Sequence, residues 1–335
     1  MAHEIMNGEM FSVRATPWHK QGVVLDNPPS TAEAIKAAGL NWTVEMLPNF
    51  IHEQTDTMGM MHYATGLFST VRWTETGPLI LGTVSDQYRV VQNEEAFRVF
   101  DEVLLPAGYQ YETAGAIKGG KKVWIMAVAP ESFRVTNGDE IRKYLLLVTS
   151  HDGTAQVRFF PTAVRVVCNN TLQWALRGAS DGFAIPHKGE PVRKIDLAAR
   201  LIEKAEGEFI HAKAMFDLMT EHRMTEMQVI KFWESVVPDL KKRNDPEIKR
   251  NVWKPMFEAL AEGFHYGRGN RGETLWDAYN AVTEYVDHRR GTAHERIVEY
   301  AMFGNGAKVK IAAFEKATDL VKAERENAPV FLGVN

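Results

Sequence analysis

The sequence predicts an α+β protein, with an antiparallel β-sheet core and flanking helices followed by a mostly helical C-terminal part. Two observations favour this fold class. Alternating apolar and polar runs, separated by Gly or Asp turn signals, recur up to about residue 168. From about residue 194 onward, apolar residues recur every three or four positions, which is typical of amphipathic helices. We therefore expect an α+β core domain over 1–190 and a helical C-terminal domain over 191–335.

Two short helices are expected among the strands of the first half. Ser30 or Thr31 is the expected N-cap of a helix that ends at Gly39, and Asn93 is the expected N-cap of a helix reaching residue 105. The strands are expected over 41–46, 64–70, 79–84, 88–92, 109–117, 123–129, 141–150 and 155–168.

Two hairpin turns and a third helix follow from local residue types. The run Lys118-Gly119-Gly120-Lys121-Lys122 predicts a basic hairpin tip, and His151-Asp152-Gly153 predicts a second turn. Asn169-Asn170-Thr171 is typical of a helix cap, so we expect a helix to begin near Leu172. Its free N–H groups and positive dipole end would form a phosphate site.

The apolar spacing of the C-terminal part predicts six helices, which follow a Gly- and Pro-containing linker at 178–191. The helices are expected over 195–220, 225–236, 245–262, 272–289, 292–303 and 306–325.

Composition favours a globular, cytoplasmic protein. The 335 residues are 45% hydrophobic and 24% charged, as in ordinary globular domains. Their apolar runs are too short to span a bilayer, and the first residues lack a signal-peptide pattern. The single cysteine, Cys168, forms no internal disulfide and is expected to be a buried structural residue. We expect no membrane association and a location in the cytoplasm of a bacterial host.

No local motif predicts catalysis, a metal or a cofactor. The eleven histidines match no metal-ligand spacing, and the Gly-rich run 115–121 lacks the spacing of a phosphate-binding loop. Ser150, His151 and Asp152 are adjacent on a strand, where neighbours point to opposite faces, so a hairpin turn is favoured over a catalytic relay. An enzyme whose site is assembled from distant residues stays open.

Basic residues concentrate in one segment. Residues 141–200 hold nine Lys and Arg against four Asp and Glu, a formal charge of +5 in a chain of net charge −4. Single-strand binders combine such cations with aromatic stacking platforms. The alternative, a sheet whose solvent face happens to be basic, stays open. The candidate nucleic-acid-binding residues are Lys118, Lys121, Lys122, Arg142, Lys143, Arg158, Phe159, Phe160, Arg165, Asn169, Asn170 and Arg177.

Several strings resemble the phage/plasmid-like protein family that carries the domain of unknown function numbered 932. They run in order from residue 16 to past Phe303-Gly304, so they cover nearly the whole chain. The strings are Thr16-Pro17-Trp18-His19, Ala34-Ile-Lys-Ala-Ala-Gly-Leu-Asn-Trp-Thr-Val44, Tyr88-Arg-Val-Val-Gln-Asn-Glu-Glu-Ala-Phe97, Arg165-Val-Val-Cys-Asn-Asn-Thr-Leu172 and Ala278-Tyr-Asn-Ala-Val-Thr-Glu-Tyr-Val-Asp-His288. This resemblance implies no particular activity.

The strand–hairpin–strand–helix order across 109–177 is similar to the core of phage single-strand annealing proteins of the RecT and Red-beta type. This architectural resemblance implies single-stranded DNA binding in a basic groove by a homo-oligomer, as a ring or filament. We therefore expect a single-stranded DNA-binding or annealing protein acting in recombination or replication. The alternative is a non-catalytic accessory protein whose helical C-terminal half binds a protein partner.

Overall fold

The computed structural model describes residues 9–14, 22–55, 59–154, 158–165, 170–172, 183–184, 191–237, 240, 253–289, 300–301 and 304–327. Cys168 and most of the predicted linker and of the helix expected at 292–303 lie outside these residues. None of the described helices is long and apolar enough to cross a membrane.

Eleven strands and seven helices make up the described part of the chain. The strands are β1 Met10–Val13, β2 Val23–Leu25, β3 Val44–Thr55, β4 Gly59–Thr74, β5 Gly77–Val84, β6 Gln110–Ile117, β7 Lys122–Arg134, β8 Glu140–Ser150, β9 Arg158–Arg165, β10 Asn170–Leu172 and β11 Phe183–Ala184. The helices are α1 Thr31–Ala37, α2 Asn93–Val103, α3 Pro191–Glu221, α4 Glu226–Val236, α5 Lys254–Tyr266, α6 Leu275–Glu284 and α7 Asn305–Asn327, with a π-helical turn at Tyr285–Arg289.

The strands form two sheets. The larger has the order β10-β9-β8-β7-β6-β1-β2, with β11 also paired to β9, and the smaller has the order β3-β4-β5. β3, β4 and β5 pair antiparallel, as do β1, β6 and β7, whereas β1 and β2 run parallel. The α+β class with a helical C-terminal region is thus confirmed.

Three local predictions are wrong. Residues 88–92 are not a strand. The Gln92 side chain bonds both backbone groups of Val44, and Gln92 is the N-cap residue of α2, where its backbone N–H donates to the Glu95 carboxylate. Asn93 is therefore not the cap, and its amide donates to the Leu40 carbonyl oxygen. Residues 170–172 do not begin a helix, because their backbone pairs with β9, in the register Asn170↔Arg165.

Contacts divide the chain into two discontinuous units. Unit 1 holds residues 1–130, 145–160 and 181–205, and unit 2 holds the remainder. The division at residue 190 inferred from the sequence stays a prediction.

Each unit has an aromatic core. In unit 1, Phe100 of α2 stacks on Tyr111 of β6 and Phe159 of β9, with ring centroids 5.2 and 6.4 Å apart. In unit 2, Phe216 of α3 packs on Trp276 at 5.0 Å and on Phe314 at 5.7 Å. All six rings are buried. The capped helix at 93–103 and the strands after it therefore share one core, as their apolar spacing predicts.

Candidate nucleic-acid interface

The link between β6 and β7, residues Lys118–Lys122, forms the predicted basic hairpin tip. Ile117 and Lys122 are register partners, so the chain reverses within four residues. Lys118, Gly119 and Gly120 adopt left-handed backbone conformations, with φ of 54°, 73° and 104°. Two consecutive glycines supply these conformations without a Cβ penalty, which explains the Gly-Gly pair in the sequence.

Trp42 fills the space beneath the tip. A Cβ atom at Gly120 would lie 2.7 Å from the Trp42 ring, so the indole requires glycine there. The guanidinium of Arg72, on β4, lies 4.3 Å from the centroid of the same ring, a cation–π contact. Arg72 also donates from Nη1 to the Gly119 carbonyl oxygen at 3.3 Å. The tip is therefore held from below by an arginine and an indole.

Arg72 is in turn fixed by Glu9. The Glu9 carboxylate accepts from Nη2 at 2.5 Å and from Nη1 at 3.2 Å. Both side chains are almost closed to solvent, at 12% and 11% exposure. Bidentate pairing of this kind fixes the plane of the guanidinium. Because its charge is matched by Glu9, Arg72 supports the tip rather than offering a free cation to an external anion.

His151 joins the tip to the end of β8. Its backbone N–H donates to the Lys121 carbonyl oxygen at 2.8 Å. Its fully buried ring lies edge-on to Trp42, at 5.4 Å, and its Nε2 is 3.0 Å from Oδ1 of Asn93. Burial lowers the pKa of His151 to about 4, against an opposing effect of Asp152, so the ring is neutral at physiological pH. The ring partner of His151 is thus the Asn93 side-chain amide.

Asp152 adds one negative charge beside the tip. Burial by itself would raise its pKa, but hydrogen bonds from Thr154 and Ser150 and the charge of Lys122 outweigh burial, so the pKa is lowered. The carboxylate is therefore ionised at neutral pH. Lys118, Lys121 and Lys122 together exceed this single charge, so the tip stays cationic.

Arg158 begins β9 at the same end of the large sheet as the tip. β7, β8 and β9 are neighbours joined by short connections, which makes adjacent strands antiparallel. The start of β7, the end of β8 and the start of β9 therefore lie side by side. With a strand spacing of about 4.8 Å, the β7 and β9 backbones are roughly 10 Å apart. Lys118 is exposed, whereas Lys121, Lys122 and Arg158 are half-buried.

Of the two predicted stacking residues, Phe160 alone keeps exposed surface. Phe159 is 1% exposed and stacks on Phe100 in the core, so no base has access to its ring. Phe160 is half-buried, as strand alternation requires for the neighbour of a core residue.

The other predicted residues either belong to unit 2 or have side chains outside the described part of the chain. Lys143 belongs to unit 2, where it is buried and its Nζ lies 2.8 and 2.9 Å from the Glu206 carboxylate oxygens. Arg142, also in unit 2, is exposed. The side chains of Arg165 and Asn170, as well as Asn169 and Arg177, lie outside the described residues. The expected phosphate site at a helix N-terminus is wrong at Asn170, which is in a strand.

A second ionisable cluster lies within the helices of unit 2. Lys310 Nζ of α7 is 2.7 Å from Oδ1 of Asp287 in the π-helical turn, and their side chains are 0% and 1% exposed. Burial lowers the pKa of Lys310, whereas Asp287 opposes that shift. Burial also raises the pKa of the neighbouring Tyr279. All three groups are buried, and the Lys310–Asp287 pair connects α7 to the π-helical turn. Among the described residues no group of three or more potential ligands is placed to hold a metal ion.

Sequence reasoning missed the support of the tip. Glu9, Trp42 and Arg72 are distant in sequence from residues 118–122, and no spacing rule connects them. The Gly119-Gly120 pair was the only local signal, since it predicts positive φ angles but does not identify what packs beneath.

The fold and the site define an α+β protein with an internally supported cationic hairpin tip. The model of the family described as "Domain of unknown function (DUF932)" matches residues 80–309, and this chain belongs to that family. The matched residues include the tip and His151 but not β3 or β4. No curated protein and no solved structure matches the chain.

Proposed function

We propose that the protein binds single-stranded DNA through the basic tip and the adjacent start of β9. The observation that carries this proposal is the fixed tip, which presents three lysines within five residues on a backbone held by Arg72, Trp42 and His151. A prearranged backbone loses little conformational entropy when its side chains engage phosphates.

The mechanism is passive. Lys118, Lys121 and Lys122 neutralise phosphates and release counterions, which makes affinity fall as salt rises. Arg158 extends the cationic track across the end of the sheet, and Phe160 offers a ring on which a base stacks. Since phosphate contacts carry no sequence information, binding is independent of oligonucleotide sequence.

The proposal also covers the biological process, the oligomeric state and the origin of the protein. We further propose a role in annealing during recombination or replication, by a homo-oligomer of phage or plasmid origin in the bacterial cytoplasm. The resemblance inferred from the sequence over 109–177 supports this through its strands alone, because residues 170–172 form a strand and not the expected helix start. The rival proposal, an accessory protein whose helical half binds another protein, predicts no salt-dependent binding of DNA.

Fluorescence anisotropy with a labelled single-stranded oligonucleotide tests the proposal. The triple variant Lys118→Gln, Lys121→Gln, Lys122→Gln removes the tip charges, and Lys231→Gln, Lys308→Gln, Lys316→Gln removes the same charge from exposed helix positions. Three lost phosphate contacts weaken binding by about a hundredfold at roughly 0.1 M salt, since each contributes about 0.7 log units per decade of salt.

The control variant is expected to bind like the wild type. Equal losses in both variants would show that only net charge matters. Absence of wild-type binding would favour the accessory-protein alternative.

A further inference from the structure

The hairpin of β3 and β4 extends into an apolar arm, which we define as residues 50–67. Strand pairing continues along it through Phe50↔Ala64, Ile51↔Tyr63 and His52↔His62 to Thr55↔Gly59. β5 pairs with β4 only between Phe68 and Thr74, so among the named strands the arm is a two-stranded ribbon. A ribbon of two strands is marginally stable alone in water.

Both faces of the arm expose large apolar side chains. Cross-strand partners share a face, and successive residues alternate between faces. Ile51 and Tyr63, at 61% and 47% exposure, therefore mark one face, whereas Phe50 at 46% marks the other. Met60 and Leu67 are also about half exposed. A partner that covers this surface must contact both sides of the ribbon.

The charge of the arm disfavours nucleic acid and anionic lipid as occupants. Residues 50–67 contain Glu53 and Asp56 but no Lys or Arg, a formal charge of −2. Polyanions are repelled by such a surface. A cationic protein surface is complementary to it, and this chain carries +5 within residues 141–200.

We propose that the arm docks on a basic surface of a second copy of this chain. Five half-exposed side chains of this size leave roughly 400–500 Å² of apolar area, which is in the range of the largest patches on monomers and often marks an interface. With the backbone and polar side chains of the ribbon, the arm approaches the roughly 800 Å² per partner of a standard interface.

The negative charge of the arm also determines which surfaces of two copies meet. Two arms of charge −2 repel each other, so an arm packs on a different surface of the next copy. Contacts between unlike surfaces generate rings where the rotation closes and filaments where it does not. This inference rests on the arm and not on the proposed DNA site, so each fails or stands separately.

Light scattering after size exclusion, over a range of protein concentrations and without DNA, tests the proposal. In the shortened variant, residues 51–63 are replaced by Asn-Gly, which joins the register partners Phe50 and Ala64 through a two-residue turn. Ile51→Asp is the point variant, and Ile210→Asp is its matched control, because Ile210 is 70% exposed on α3.

The expected result is a concentration-dependent oligomer for the wild type and for Ile210→Asp, with monomers for both arm variants at unchanged melting temperature. The wild-type oligomer also weakens as salt rises, because the contact is between opposite charges. A monomeric wild type at every concentration overturns the proposal, as does a shortened variant that assembles like the wild type. If the wild type is monomeric and the arm variants lose DNA binding, the arm binds nucleic acid and not a second copy.

Discussion

The tip and the arm are both hairpin links of unit 1, yet they are built in opposite ways. The tip is a short link with cationic side chains, and buried groups of β4 and β8 hold its backbone. The arm is a long ribbon whose side chains from Phe50 to Gln54 are all exposed and whose charge is negative. A rigid cationic surface suits a polyanion, whereas an exposed apolar ribbon suits a protein surface. One unit thus presents two chemically distinct surfaces.

The largest expected effect comes from removing the support of the tip. Arg72→Ala leaves the Glu9 carboxylate nearly buried without its guanidinium, which costs about 3–5 kcal/mol in the free energy of unfolding. The matched control is Arg134→Ala. The side chains of Arg134 and Glu140 are 69% and 34% exposed, so their ion pair contributes at most about 1 kcal/mol to the free energy of unfolding. Urea denaturation measures both. Similar losses for the two variants would mean that Arg72 does not anchor the tip.

The second prediction uses the neutral His151. Its pKa is about 4 in the folded protein, below its ordinary value of 6.5, so the unfolded chain binds more protons between these pH values. The contribution of His151 to stability is fully present above about pH 6.5 and is lost as the pH falls towards 4. The loss amounts to at most about 3 kcal/mol at 1.36 kcal/mol per pKa unit.

Unfolding free energies at several pH values, for the wild type and for His151→Asn, measure this effect. The variant is expected to have a flatter profile between pH 4 and 6.5. Identical slopes in the two proteins would show that other groups cause the acid sensitivity.

Much of the fold was predictable from the sequence because periodicity reflects burial. The predicted tip, the helix after residue 93 and the helices near 191–236 and 305–327 are confirmed. Caps and short strands were harder, because an Asn-Asn-Thr string fits either a helix cap or a strand. The neighbouring β9 pairs with residues 170–172, and no local rule contains that contact.

The candidate site was predictable only in part. The lysines of the tip are visible as a basic Gly-rich run, but their support by Trp42 and Arg72 is a tertiary contact. For Phe159 and Phe160, too, a tertiary contact was needed to complete the prediction. Alternation along a strand places only one of them on the core side, and the stack on Phe100 identifies Phe159 as that one.

The third prediction compares these two phenylalanines. Phe160→Ala removes a stacking ring and weakens oligonucleotide binding by about 1–3 kcal/mol without altering the salt dependence. Phe159→Ala removes a core ring, so it lowers stability while binding per folded molecule is unchanged. Anisotropy titrations at several salt concentrations, together with thermal melts, separate the two effects. Normal binding by Phe160→Ala would remove Phe160 from the proposed site.

The smallest effect on stability is expected on the arm. Ile51 is 61% exposed, so Ile51→Asp alters the free energy of unfolding of the monomer by at most about 1 kcal/mol, chiefly through strand propensity. Chemical denaturation at low protein concentration, where association is negligible, measures this value. A loss of several kcal/mol would place Ile51 in a packed core and remove the contrast between the arm and the tip.

The division of roles between the tip and the arm is tested most directly by the salt dependence of single-stranded DNA binding. The wild type, the triple tip variant and the shortened-arm variant are titrated with one oligonucleotide over a range of salt concentrations, at protein concentrations too low for association. The slope of log K against log salt is expected to become shallower by about 2 in the tip variant, from three lost contacts at roughly 0.7 each, and to stay unchanged in the arm variant. A slope that is unchanged in the tip variant, or that changes equally in both, would contradict the account.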